Sequence, residues 1–158
     1  MKSSTETPKV LFDTSYILPT LGISVGAAIE EHINTLAQVG VEVYYSRLSI
    51  LESLWVAART IRDGTFDPER FKLGLRSIID GGRYKRVEED SQIFTEALNL
   101  YRLGHRDMID NILYASATRL NLQLLTTDRE LEKFVHEKKL KNVLSIIPDE
   151  PPPKGHSS

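Results

Sequence analysis

An α/β fold, three-layered around a mainly parallel central sheet, is expected from three features of this 158-residue chain. Short β-branched or aromatic runs alternate with longer helical stretches. Capping side chains and glycines punctuate those stretches. The length suits one domain with a single buried core. Strands separated by crossover helices pair in parallel, and such a sheet needs cover on both faces.

The elements follow in order. Lys9-Val10-Leu11-Phe12 reads as a buried strand that closes on Asp13-Thr14-Ser15, all helix-capping types, so a short helical segment is expected at once, limited by Pro19 and Gly22. A helix from Gly26 to Gln38 carries Ala27, Ile29, Ile33, Leu36 and Ala37 at helical spacing and stops at Gly40. Val41 to Tyr45 is the second strand. Ser46 caps a long helix from Arg47 to Asp63, stopped by Gly64. Asp67-Pro68-Glu69 is a cap, a first-turn proline and an early acid, opening a helix that runs to Asp80 before Gly81-Gly82.

Arg83 to Val87 is expected as a short edge strand. Asp90 or Ser91 caps a helix to Leu103, and Gly104-His105-Arg106 leads into another that ends at Leu120. Leu122 to Thr126 reads as a strand, Asp128 to Lys138 as a helix and Lys141 to Ile147 as a last strand. The domain is expected over 9–148, between a flexible N-terminus (1–8) and a disordered tail (149–158) with no apolar content.

Composition excludes several classes. Twenty basic and 22 acidic side chains give a formal charge of −2, which does not suit a polybasic nucleic-acid binder. With no cysteine there is no disulfide framework, thiol nucleophile or Cys-ligated metal. The start lacks the apolar stretch of a signal peptide, and no run is long enough to span a bilayer, so a cytoplasmic location without membrane contact is expected.

In open α/β sheets the working crevice lies beyond the carboxyl ends of the strands. Asp13 and Asp128 directly follow two strands there. Taken singly, each suits a helix cap. On the Arg47 helix, Leu48, Leu51, Leu54, Trp55 and Ala58 form one apolar stripe, with Glu52 and Arg59 at its margin. On the helix after Gly104, Ile109, Ile112, Leu113 and Leu120 form the stripe, with Ala117 at its edge. Asp110 borders that buried side and Asp107 turns further toward solvent. First-turn acids also complement a helix dipole.

The combination is more telling than any one acid. Two carboxylates about 4 Å apart repel by roughly 4 kcal/mol at an effective dielectric near 20. Three or four in one crevice must protonate, splay apart or hold a cation. Hard ions such as Mg²⁺ or Mn²⁺ prefer carboxylate oxygens, whereas the missing cysteines and unpaired histidines argue against zinc.

Val10-Leu11-Phe12-Asp13-Thr14-Ser15, Glu52, Asp110 to Ala117 and Leu124-Leu125-Thr126-Thr127-Asp128, in that order and spacing, resemble the PIN-domain ribonucleases, most of all the toxins of VapBC toxin–antitoxin pairs. The resemblance covers about Val10 to Ile147. It implies a PIN-like fold and a metal-dependent endoribonuclease. Asp13, Glu52, Asp110 and Asp128 would hold Mg²⁺ or Mn²⁺, with Asp107 as a second candidate on its helix. Thr14 or Ser15, and Thr126, would be the accompanying hydroxyls. The family commonly has an aromatic soon after the last acid, a place that Phe134 could take. Its implied partners are a single-stranded or structured RNA substrate, an antitoxin protein and a second copy in a homodimer. The Arg47–Gly64 helix with Trp55 could support such contacts or be core.

Two other functions share the scaffold: an RNA-processing PIN nuclease without an antitoxin, and a catalytically silent RNA- or protein-binding scaffold. A phosphatase of the kind with a second Asp two residues after the first is disfavoured by Ser15. Arg59, Arg62, Arg83, Lys85 and Arg86 are candidate phosphate contacts, and Tyr44, Tyr45 and Tyr84 candidate stacking surfaces, although solvated charge and core packing suit them better. His105 is expected at the surface or in a cap.

Overall fold

A computed structural model describes residues 7–146. The expected tail, the final strand residue Ile147 and most of the expected flexible N-terminus lie outside the described residues. Five strands, β1 (Lys9–Phe12), β2 (Glu42–Tyr45), β3 (Lys85–Arg86), β4 (Gln123–Thr126) and β5 (Leu144–Ile146), form one sheet in the order β3-β2-β1-β4-β5. Every pairing is parallel. The edge strand expected over Arg83–Val87 is present, shortened to two residues.

Seven α-helices accompany the strands: α1 (Thr14–Ile17), α2 (Ala27–Val39), α3 (Arg47–Asp63), α4 (Pro68–Ile79), α5 (Ser91–Leu103), α6 (Met108–Leu120) and α7 (Arg129–Glu137). A 3-10 turn over Leu18–Leu21 continues α1. Alternation along the strands feeds two cores. Leu11 and Leu124 meet Leu100 of α5, Leu113 and Ala117 of α6, and Leu131 and Val135 of α7 on one face. Val10, Phe12 and Leu125 meet Tyr16, Ile17, Ile29 of α2 and Ile78 of α4 on the other. This is the expected three-layer α/β/α arrangement.

Two helices depart from their wheels. Helix α6 is buried continuously from Asn111 to Ala117 because α5 packs on its far side, while Leu120 is exposed. Helix α3 buries Ser49, Ser53 and Ala57 instead of its apolar stripe. Small side chains let it approach α1 and α6; of the stripe Leu48 packs partly against α5 and α6, while the large residues beyond it point outward: Leu51 is 41%, Leu54 45% and Trp55 57% exposed. Trp55 is therefore not a core residue. Among the described residues no helix is long and apolar enough to cross a membrane.

Candidate metal centre

The centre is built at the carboxyl ends of the two middle strands. The Asp13 amide donates to the Leu125 carbonyl (3.1 Å), which extends the β1–β4 pairing just past Phe12 and seats Asp13 beside Thr126. Asp13 caps α1 through Tyr16, and Asp128 caps α7 by accepting from the amides of Glu130 and Leu131 (2.9 and 3.1 Å). Asp107 caps α6 by accepting from the Asp110 amide at 3.1 Å. The capping reading of Asp13 and Asp128 is thus correct, and Asp107, expected in the first turn of its helix, is its N-cap instead; the three caps also fix where the carboxylates lie.

Asp13 is buried, with only 7% of its surface exposed. Burial raises its pKa above the ordinary carboxylate value, opposed by hydrogen bonds from the Ser15 and Thr126 hydroxyls and from backbone amides. The Ser15 bond measures 2.6 Å. Thr126 is buried too, and its Oγ accepts from the Asp128 amide at 3.0 Å, so one hydroxyl links Asp13 to the turn that carries Asp128.

Asp110 is half-buried. Its carboxyl is pushed up to about 10, first by burial, then by its hydrogen bond to Asp128 and by the charges of Asp107, Asp128 and Asp13. Asp128 moves the other way, held low mainly by that bond from Asp110 and by two backbone amides. Two carboxylates so placed repel, which favours one proton held between them. A cation would replace that proton, so the donor set, oxygen-rich and over-charged, fits a hard divalent ion.

Glu52 enters differently. It projects from α3 and accepts a hydrogen bond from the Thr14 hydroxyl, one residue beyond Asp13. The structure therefore gathers Asp13, Asp110 and Asp128 through direct bonds and charge coupling, ties Glu52 on through Thr14, and leaves Asp107 exposed at the rim. Asp107 acts on Asp110 by charge while serving as a cap.

One residue was misplaced by sequence reasoning. His105 is not at the surface: it is only 8% exposed, and one ligand atom each from His105, Asp110 and Asp128 lie within 4.8 Å of one another. Its ring packs on Phe134 with centroids 5.1 Å apart. Nothing in the local sequence signals this, since the contact depends on Phe134 arriving from α7. The candidate cations and rings are mostly engaged elsewhere. Lys85 pairs with Glu42, Arg86 with Glu88, Arg83 with the Tyr84 hydroxyl, and Tyr45 and Tyr84 are buried. Arg59 and Arg62 are exposed on α3.

Residues 10–137 match the family model described as PIN domain. Among curated proteins nothing matches. Among solved structures the chain is similar to a toxin-antitoxin complex from Klebsiella pneumoniae (TM-score 0.56, 14% identity), covering 87% of this chain and 99% of that one. It is also similar to VapBC2 from Rickettsia felis bound to a DNA fragment from their promoter (0.58, 10%, covering 87% and 98%). A third similar structure is FitAcB from Neisseria gonorrhoeae (0.54, 15%, covering 80% and 93%). At these identities the likeness is one of fold.

Proposed function

Because the chain belongs to the PIN domain family, whose members are generally nucleases, we propose that it is a metal-dependent endoribonuclease acting as the toxin of a toxin–antitoxin pair. The observation that carries the proposal is the gathering of Asp13, Asp110 and Asp128 at the carboxyl ends of β1 and β4, where burial and their mutual charges push the Asp110 carboxyl above its ordinary range.

Asp13, Asp110 and Asp128 would hold a Mg²⁺ or Mn²⁺ ion, with Glu52 joining directly or through water. Bound there, the ion supplies Lewis-acid activation of water and of the phosphodiester. The protein's own groups prepare the site. Thr126 fixes Asp13 against the Asp128 turn, and Thr14 orients Glu52. Asp110 would hold the ion as a carboxylate, its proton released to solvent. Asp107 adds negative charge at the rim without needing to touch the ion.

The partner reading rests on a second feature. Leu51, Leu54 and Trp55 of α3 and Phe94 and Leu98 of α5 are exposed large apolar side chains, the kind of surface that a second copy or an antitoxin segment would cover. The solved structures of similar fold come from toxin–antitoxin systems, which supports that assignment.

The test is cleavage of a labelled single-stranded RNA by protein stripped with EDTA and reloaded with Mg²⁺ or Mn²⁺. Cleavage should return with metal and be lost in Asp13→Asn. RNA left intact across metals and sequences, with binding retained, would instead identify a silent scaffold.

A further inference from the structure

His105 is buried beside two carboxylates, and its ring is held rather than loose. The Asn111 side chain, fully buried, donates from Nδ2 to the His105 carbonyl at 2.8 Å. That fixes the amide orientation and presents Asn111 Oδ1 to His105 Nδ1 at 2.7 Å. Oδ1 is an acceptor only, so Nδ1 carries the hydrogen and donates. In the neutral ring the lone pair then belongs to Nε2. One ring nitrogen of His105 lies with an oxygen each of Asp110 and Asp128, all within 4.8 Å of one another; with Nδ1 engaged by Asn111, Nε2 is the nitrogen free to meet an ion there once a cation takes the place of the Asp110 proton. The Asn111 contact has the form of the outer hydrogen bond that sets the tautomer of a metal-bound histidine.

We propose that His105 is a nitrogen ligand of the ion, acting with Asp110 and Asp128, and that it makes the centre select Mn²⁺ over Mg²⁺. The proposal rests on the metal-centre reading above. Mg²⁺ favours an all-oxygen octahedron, whereas imidazole adds affinity for transition ions in the order that runs upward from Mn²⁺. The preference thus comes from a residue outside the four acids.

The decisive measurement is pulsed electron paramagnetic resonance of Mn²⁺ bound to the whole protein, prepared with ¹⁴N- or ¹⁵N-labelled histidine. A histidine nitrogen coupling to Mn²⁺ is expected, changing with the isotope and absent in His105→Gln. Calorimetry should show Mn²⁺ affinity falling about 10- to 100-fold in His105→Gln, with Mg²⁺ affinity nearly unchanged. The isotope experiment uses the wild-type chain, so it stands even if the variant folds poorly. Stoichiometric Mn²⁺ without histidine coupling, or coupling that persists in His105→Gln, would overturn the proposal and leave the metal centre intact. Failure to bind either ion would overturn both.

Discussion

The hydroxyl of Thr14 donates to the carboxylate of Glu52, joining the first turn after β1 to the middle of α3. This bond holds Glu52 at the crevice, while α3 itself is seated by Ser49, Ser53 and Ala57 and by the half-buried Leu48 and Ile50.

Thr14→Val keeps the shape of the side chain and removes that donor. A hydrogen bond to a charged group contributes about 1.5–3 kcal/mol to stability, so the denaturation midpoint should fall by about that amount. The kcat for RNA cleavage should fall with it, because Glu52 loses the contact that places it at the crevice. An unaltered kcat would show that Glu52 needs no such support.

The shared proton makes stability depend on pH in a definite sense. Asp110 and Asp13 both have folded pKa values above the ordinary carboxylate value, so their contribution is complete below about pH 4 and is lost as pH rises, for Asp110 through about 10. One such group costs at most about 1.4 kcal/mol per pH unit across that window. Metal-free protein should therefore melt at lower temperature at pH 9 than at pH 5. Asp110→Asn should flatten the slope, and saturating Mn²⁺ should reverse the loss. Parallel melting curves for the variant and the wild type would contradict the assignment.

Gly74 is where α4 crosses the 3-10 turn. A Cβ there would collide with the Thr20 carbonyl oxygen, a backbone atom that cannot move aside alone. Gly74→Ala should destabilise the fold by about 1–3 kcal/mol, read as a lower denaturation midpoint, although alanine is the better helix former.

Trp55 offers the opposite case. Because it is mostly exposed, Trp55→Glu should leave the denaturation midpoint within about 0.5 kcal/mol of wild type. It should weaken self-association or antitoxin capture, measured by sedimentation and by co-purification with the partner. A large loss of stability would mean that the indole serves the chain's own core.

The strands, the caps and the positions of Asp13, Asp110 and Asp128 were legible because each rests on local chemistry: a β-branched run, an Asp at a helix start, a glycine at a helix end. What was not legible depends on neighbours from elsewhere in the chain. A helical wheel finds the apolar stripe of α3 but cannot say whether the domain itself covers it; here Ser49, Ser53 and Ala57 take the inner face. His105 looked like a loop residue because Asn111 and Phe134, which bury and orient it, lie on two different helices. The last strand began later than expected because Leu144 takes its partner in β4, while Lys141 provides only a carbonyl for the Tyr114 hydroxyl.

The middle of the sheet holds β1, the first of the described strands to be synthesised, and its neighbour β4 is the fourth of the five. A nascent chain that stops short of Asp128 has an incomplete sheet and only part of the acidic cluster. Any hydrolytic power the finished molecule has is therefore withheld from the machinery translating it until almost the whole domain has emerged.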